Sequence, residues 1–282
     1  MKQISLTNYG LIALNGENTV TFLQGQLTCD VKLINETTSS LGCYCDHKGR
    51  ILASFRLFLI NNIYYLLLPK SILENTLTEL KKFAAFSQVN VRDASEDYHV
   101  IGLVGKNLLN KPHDVYHENG HIYICLDDNE NRYFLLQKNP PNEPDTITLN
   151  DWIKYNIKQG IAEISSETIG LFTPHIINYP ELGAVSFNKG CYRGQEIVAR
   201  MQYLGKLKQH ACRAEINTPE MLKPGMSIQD ANKKSVGELI SFAKLNENHY
   251  IMLLTLMDAA RISQQVFINH QPLVNVECLS QN

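Results

Sequence analysis

The chain holds no long apolar run. Its longest hydrophobic stretches, such as Ile63–Pro69, fall far short of the roughly 20 residues a helix needs to cross a bilayer, so no membrane partner is expected. Residues 1–10 lack an apolar core behind a charged start, and no secretory leader is read there. A strong excess of either charge is missing too. The 26 basic and 28 acidic side chains leave a formal net charge of −2. That balance excludes a surface that grips phosphates throughout, and no strong direct nucleic-acid binding is expected. There is a single tryptophan, and there is no internal repeat or low-complexity tract. The seven cysteines are odd in number and scattered, with no CxxC pair. This is the pattern of a reduced, cytoplasmic protein and not of a disulfide framework.

What is present is a globular balance, 44% hydrophobic and 19% charged, in 282 residues. That length suits about two domains. Residues 11–14 read as a strand, Asn15-Gly16 as a turn, and residues 18–24 as a helix closed by a left-handed Gly25. Hairpin strands follow at 41–45, 51–60 and 63–68, turning at residues 46–49 and at Asn61-Asn62. Ile72, Leu73, Leu77, Leu80 and Ala84 recur at helical spacing and predict an amphipathic helix over 71–86. Further strands are read at 99–104, 121–126 and 132–137. Residues 139–145, rich in proline, form a linker or loop. Asn150 is placed as the cap of a helix over 151–159, with Gly160 past its end. Residues 161–188 show little periodicity. Beyond Gly205, short strands at 210–216, 236–242, 250–256, 266–268 and 274–278 suggest an antiparallel barrel or sandwich. The reading is α+β, with domains at 1–205 and 206–282.

Cys191 is the most suggestive residue for chemistry. Lys189 lies two residues before it and Arg193 two after it, with glycines at 190 and 194, and a following helix N-terminus would favour its thiolate further. Nearby cations favour a thiolate, and glycines allow a tight turn and close approach of another molecule's backbone. Cys43 and Cys45 share one strand face beside Asp46 and His47, but two thiols without a second pair are read as packing, and no metal site is assigned. Trp152 and Tyr9 are each unremarkable alone. Arg200, Lys206, Lys208, His210 and Arg213 form a basic cluster, equally readable as an anion-facing patch or a solvated strand.

The run Lys189-Gly190-Cys191-Tyr192-Arg193-Gly194-Gln195-Glu196 is similar to the signature octapeptide KGCYxGQE of the YgfZ family, with every fixed position present. Residues 9–16, 22–28, 46–49 with the strand through Arg56-Leu57-Phe58, 80–87 and 152–160 also resemble that family. Together these stretches cover most of residues 5–210 in order. The resemblance implies a fold like that of the glycine-cleavage aminomethyltransferase GcvT, with three subdomains, two α+β followed by a C-terminal antiparallel β-barrel. It also implies a tetrahydrofolate site with aromatic residues at Tyr9 and Trp152, although Tyr9 stands where the family has tryptophan. By the same resemblance, Cys191 is the functional thiol of an accessory protein for iron–sulfur cluster assembly or repair. Its partners would be assembly factors and iron–sulfur enzymes such as those that methylthiolate tRNA. No second copy is needed to complete the site, so a monomer is expected. The related aminomethyltransferases place an aspartate just after a glycine-containing hairpin turn. The comparable segment here, residues 49–58, has no carboxylate, which makes a tetrahydrofolate-dependent one-carbon transferase the minority reading.

Overall fold

The computed structural model describes residues 1–105, 111–127 and 130–279. In chain order the elements are β1 (Lys2–Ser5), β2 (Tyr9–Asn15), α1 (Thr19–Gln26), β3 (Ser40–Cys45), β4 (Ile51–Ile60), β5 (Ile63–Pro69), α2 (Lys70–Ser87), β6 (Asn90–Asp93), β7 (His99–Val104), β8 (Val115–Glu118), β9 (His121–Asp127) and β10 (Arg132–Gln137). They continue with α3 (Leu149–Lys158), α4 (Gln195–Leu204), β11 (Gln209–Asn217), β12 (Ser227–Asp230), β13 (Ser235–Lys244), β14 (His249–Met257), α5 (Asp258–Ser263), β15 (Val266–Ile268) and β16 (Gln271–Cys278). No described helix is long and apolar enough to cross a membrane. Two compact units emerge. The first comprises Met1–Cys45, Leu52–Leu149 and Gly183–Arg193; the second comprises Asp46–Ile51, Asn150–Leu182 and Gly194–Asn282. Residues 280–282, the end of the expected C-terminal domain, lie outside the described residues.

The first unit carries two antiparallel five-stranded sheets, ordered β3-β4-β5-β2-β6 and β1-β7-β10-β9-β8. Strand β4 is nearly all apolar and buried along both faces, as the middle of a covered sheet requires. Its turn into β5 uses Asn61 and Asn62 at φ +49° and +62°, a left-handed pair that asparagine tolerates well. Helix α2 buries Ile72, Leu73, Thr76, Leu77, Leu80 and Ala84 as one stripe and packs it on β2, β5 and β6.

Two helix ends differ from the sequence reading. Helix α1 runs through Gly25 to Gln26, because an extended Leu27 ends it by donating its N–H to Leu23, so no left-handed glycine is needed. Asn150 lies inside α3 and not at its cap. Its side-chain amide instead pairs with both the N–H and the carbonyl of Lys244, satisfying a strand end.

One buried pair in the first unit gives it an acid-sensitive point. The Arg56 guanidinium lies 2.5 Å from His113 Nδ1. Burial, reinforced by that cation, pulls the His113 pKa down to about 4. A base whose folded pKa is depressed takes up protons more readily once unfolded. Its contribution to stability is therefore complete above about pH 6.5 and is lost as the pH falls from there through 4. Urea titrations across that window should show the wild type losing up to about 3 kcal/mol that His113→Gln retains. Parallel curves for the two proteins would refute the assignment.

In the second unit, strands β11-β14-β13-β12-β15-β16 close into an antiparallel barrel. Alternation fills it: Cys212, Ala214 and Ile216 of β11 meet Met252, Leu254 and Leu256 of β14 inside. The expected strands are present, and β12 is an addition that the polar sequence Ser-Ile-Gln-Asp did not reveal. The expectation of wholly reduced cysteines needs correction. Cys212 and Cys278 face each other across β11 and β16 with Cα atoms 4.0 Å apart and form a disulfide. They are 66 residues apart in sequence, and only barrel closure makes them neighbours.

Candidate functional site around Cys191

No helix or strand lies between α3 and α4, and this irregular stretch carries the octapeptide. Its first five residues belong to the first unit, where they are tied to the loop after α1. The approach is fixed by Ser186, whose N–H donates to the Thr28 carbonyl at 2.9 Å, and by the Thr28 hydroxyl, which donates to the Ala184 carbonyl at 2.7 Å. Lys189 then donates its ammonium protons to the carbonyls of Leu27 and Cys29 at 2.7 and 2.8 Å and lies 5.2 Å from the centre of the Tyr192 ring. Burial pulls the Lys189 pKa down to about 8, against the opposing pull of Cys29 and Asp30. On the other flank, the Arg193 N–H donates to the Gly25 carbonyl at 3.1 Å. The Arg193 guanidinium donates to the Tyr44 hydroxyl, lies 3.6 Å from Glu79 and sits 5.3 Å from the Phe83 ring centre. Hydrogen bonding to Lys82 is the main reason the Glu79 carboxyl stays below its usual range, with Arg193 adding to it.

Both cations flanking Cys191 thus have other partners. Their evident work is to fasten the backbone on either side of the thiol. Of the five reduced cysteines, Cys191 alone is exposed; Cys29, Cys43, Cys45 and Cys125 are buried. Burial pushes the Cys29 thiol up to about 12. Cys191 opens onto a pocket of about 410 Å³ lined by Gly25, Gln26, Phe83, Tyr192 and Arg193. The Gln26 side-chain carbonyl is buried there without a hydrogen-bond partner. Sequence reasoning missed Gln26, Tyr44, Glu79 and Phe83, because each lies more than 100 positions from the octapeptide. Gln26 and Phe83 carried a signal, inside the family-like stretches 22–28 and 80–87, whereas Tyr44 and Glu79 carried none.

The two glycines of the octapeptide differ. Gly190 stands in open space. Gly194 has φ +83°, and a Cβ there would collide with the Asp46 carbonyl and crowd Gly49. The close approach expected of these glycines is therefore made by Gly194 and to the chain's own backbone. Gln195 and Glu196 open α4. Asp46, just before segment 49–58, holds the turn: its Oδ1 accepts the N–H groups of Lys48 and Arg50, both at 2.8 Å.

Tyr9 begins β2, is 5% exposed and packs edge-on against Phe134 at 5.4 Å. It also lines a second pocket of about 230 Å³ in the first unit, with Lys70, Ser95, Glu96, Tyr98 and His99. Trp152, in the first half of α3, is completely buried. In the basic cluster, His210 is buried 3.1 Å from Asp258, and Arg213 pairs with Glu277 at 2.9 Å. Arg200, Lys206 and Lys208 remain exposed. Asp46 and His47 do not join Cys43 and Cys45 in a metal cluster; among the described residues no group of three or more His, Cys, Asp or Glu could hold an ion.

Two α+β sheets followed by a closed antiparallel barrel define the fold class of the glycine-cleavage aminomethyltransferases. The crystal structure of aminomethyltransferase T of the glycine cleavage system from Bartonella henselae matches with a TM-score of 0.67, over 99% of this chain and 85% of that one, at 14% identity. No family model matches the chain. Among curated proteins, it is 32% identical over 253 residues to the tRNA-modifying protein YgfZ of Colwellia psychrerythraea, covering 83% of this chain and 76% of the relative. It is 34% identical to the protein of the same description from Hamiltonella defensa, covering 73% and 67% respectively. The Vibrio atlanticus relative, at 28% identity, is matched over 95% of this chain and 87% of its own length. The chain belongs to the YgfZ family.

Proposed function

We propose that this protein is a folate-binding accessory factor of the cytoplasm. It supports iron–sulfur cluster assembly or repair and, through that, the thiolation of tRNA, with Cys191 as its working thiol. The observation that carries the reading is the presentation of Cys191. It is the exposed reduced thiol of the described chain, its backbone is fastened on both sides, and its surroundings come from the segments that resemble the family. A tRNA-modification role is supported by the relatives' descriptions and by the shared fold.

Tetrahydrofolate is the cofactor that the fold implies. The Tyr9 pocket fits part of it: an aromatic wall and several polar groups bound about 230 Å³, room for one ring system and not for the whole molecule. Tyr9 would wall the ring, and Lys70 and His99 offer donors around it. Trp152, fully buried, would act by holding its helix in place. When bound, the folate supplies a one-carbon carrier. This chain's own residues bind and orient it, and no carboxylate in residues 49–58 is present to move a proton at its nitrogen.

The test is complementation of a bacterial strain deleted for its own YgfZ-family protein, reading thiolated tRNA nucleosides by mass spectrometry. The wild-type chain should restore them. Cys191→Ser should leave them at the empty-vector level, while its urea midpoint stays unchanged because an exposed side chain carries little stability. Full restoration by Cys191→Ser would remove the thiol from the function.

A further inference from the structure

Behind the octapeptide lies a cluster of sulfur that the role of Cys191 does not use. Strand β3 carries Cys43 and Cys45 two positions apart, so both side chains leave the same face. Both are completely buried, with their sulfurs 3.9 Å apart. The Cys43 sulfur is also 3.4 Å from the Thr28 hydroxyl. A further group comes from the octapeptide itself. Tyr192 is only 6% exposed, and its hydroxyl has no hydrogen-bond partner. Cys45 and Cys43 lie close enough to the phenol to act on it electrostatically. A buried donor without an acceptor is costly, and a neutral thiol accepts only weakly. A thiolate in the same place would accept strongly.

We infer that Cys43 and Cys45 form a two-coordinate site for copper(I), with the Tyr192 hydroxyl donating a hydrogen bond to the bound thiolates. The donor set selects the ion. Hard cations want several oxygens, and a structural zinc wants four ligands, which no cluster of described residues supplies. Paired thiolates suit soft copper(I). Each thiol gives up a proton to solvent as its sulfur bonds to the metal, leaving one net negative charge on the S–Cu–S unit. Copper stays in the +1 state throughout, so no oxidant or reductant is consumed. β3 is an edge strand of its sheet, covered beside Cys43 by the short segment Leu27-Thr28, and local opening of that segment lets the ion enter. Because Tyr192 follows Cys191 directly, occupancy of the site is felt within the octapeptide. This site is independent of folate and of the part Cys191 plays in tRNA thiolation.

The experiment is an anaerobic titration of the full chain, with its Cys212–Cys278 disulfide left intact, against copper(I) held by bicinchoninate, a coloured chelator. The wild type should withdraw one equivalent into Cys43 and Cys45, beyond any held by the exposed Cys191, and Cys191→Ser should retain it. Cys43→Ser and Cys45→Ser should each lose it, and Tyr192→Phe should weaken it about tenfold as an outer partner of the ligands. A readout on the wild type covers variants that fail to fold. Copper should shield two thiols from alkylation in denaturant, mapped by peptide mass spectrometry to positions 43 and 45. No uptake by the Cys191→Ser protein, or undiminished uptake by a folded Cys43→Ser/Cys45→Ser double variant, would overturn the proposal, as would protection mapped to other cysteines.

Discussion

Trp152→Ala is expected to destabilise the protein by about 3–5 kcal/mol, read as a fall in the urea midpoint at constant slope. The indole is completely buried in α3, together with Asn156 and Ile157 of the same helix. Truncating it removes the largest fully buried side chain and leaves a cavity that a helix fixed along its length cannot collapse into. A midpoint shift corresponding to less than about 1 kcal/mol would mean that the ring is not part of the packing. The same burial decides how folate binding should be examined. Alanine at 152 confounds affinity with unfolding, whereas Trp152→Phe keeps most of the volume. In anaerobic calorimetry with tetrahydrofolate, Tyr9→Leu, which likewise keeps most of a buried volume, should weaken binding about tenfold through loss of the aromatic wall. Trp152→Phe should change it much less. The reverse order would move the ring-binding role from Tyr9 to Trp152.

Gly194→Ala should cost about 3–5 kcal/mol, far more than its companion Gly190→Ala. Two separate effects add. An alanine at φ +83° occupies the left-handed region at about 1–2 kcal/mol, and its Cβ runs into the Asp46 carbonyl, where backbone and not a flexible side chain must yield. Gly190 faces open space with no such dihedral, so Gly190→Ala should stay within about 0.5 kcal/mol. Thermal or urea unfolding of the two variants side by side provides the check. Equal stabilities would mean that the turn at Gly194 relaxes freely.

The contrast between these glycines also shows what could be read in the sequence. Hydrophobic periodicity placed α2 within a residue or two, and period-two alternation with turn residues placed the hairpins and most barrel strands, because those signals are local. The octapeptide drew attention to Cys191 for the same reason. What stayed hidden depends on distant partners. Lys189 and Arg193 looked like activators of the neighbouring thiol; the structure turns them onto Leu27, Cys29, Tyr44 and Glu79. Cys212 and Cys278 looked like isolated residues until the barrel closed. Asn150 reads as a helix cap in any local window, and only the presence of Lys244 shows why it lies inside the helix.

The fastening of Lys189 to Leu27 spans 162 positions of chain. Contacts that distant demand a large loop closure before they return any free energy, and they form late in folding. During synthesis, the sheets of residues 1–137 can assemble well before the octapeptide leaves the ribosome. Until residues 184–193 dock, Leu27 and Cys29 lack the ammonium that meets their carbonyls, and Cys191 travels on an untethered segment. The setting of the thiol is thus completed by the last segment to join the first unit, so a nascent chain holds a folded scaffold before it holds a working site.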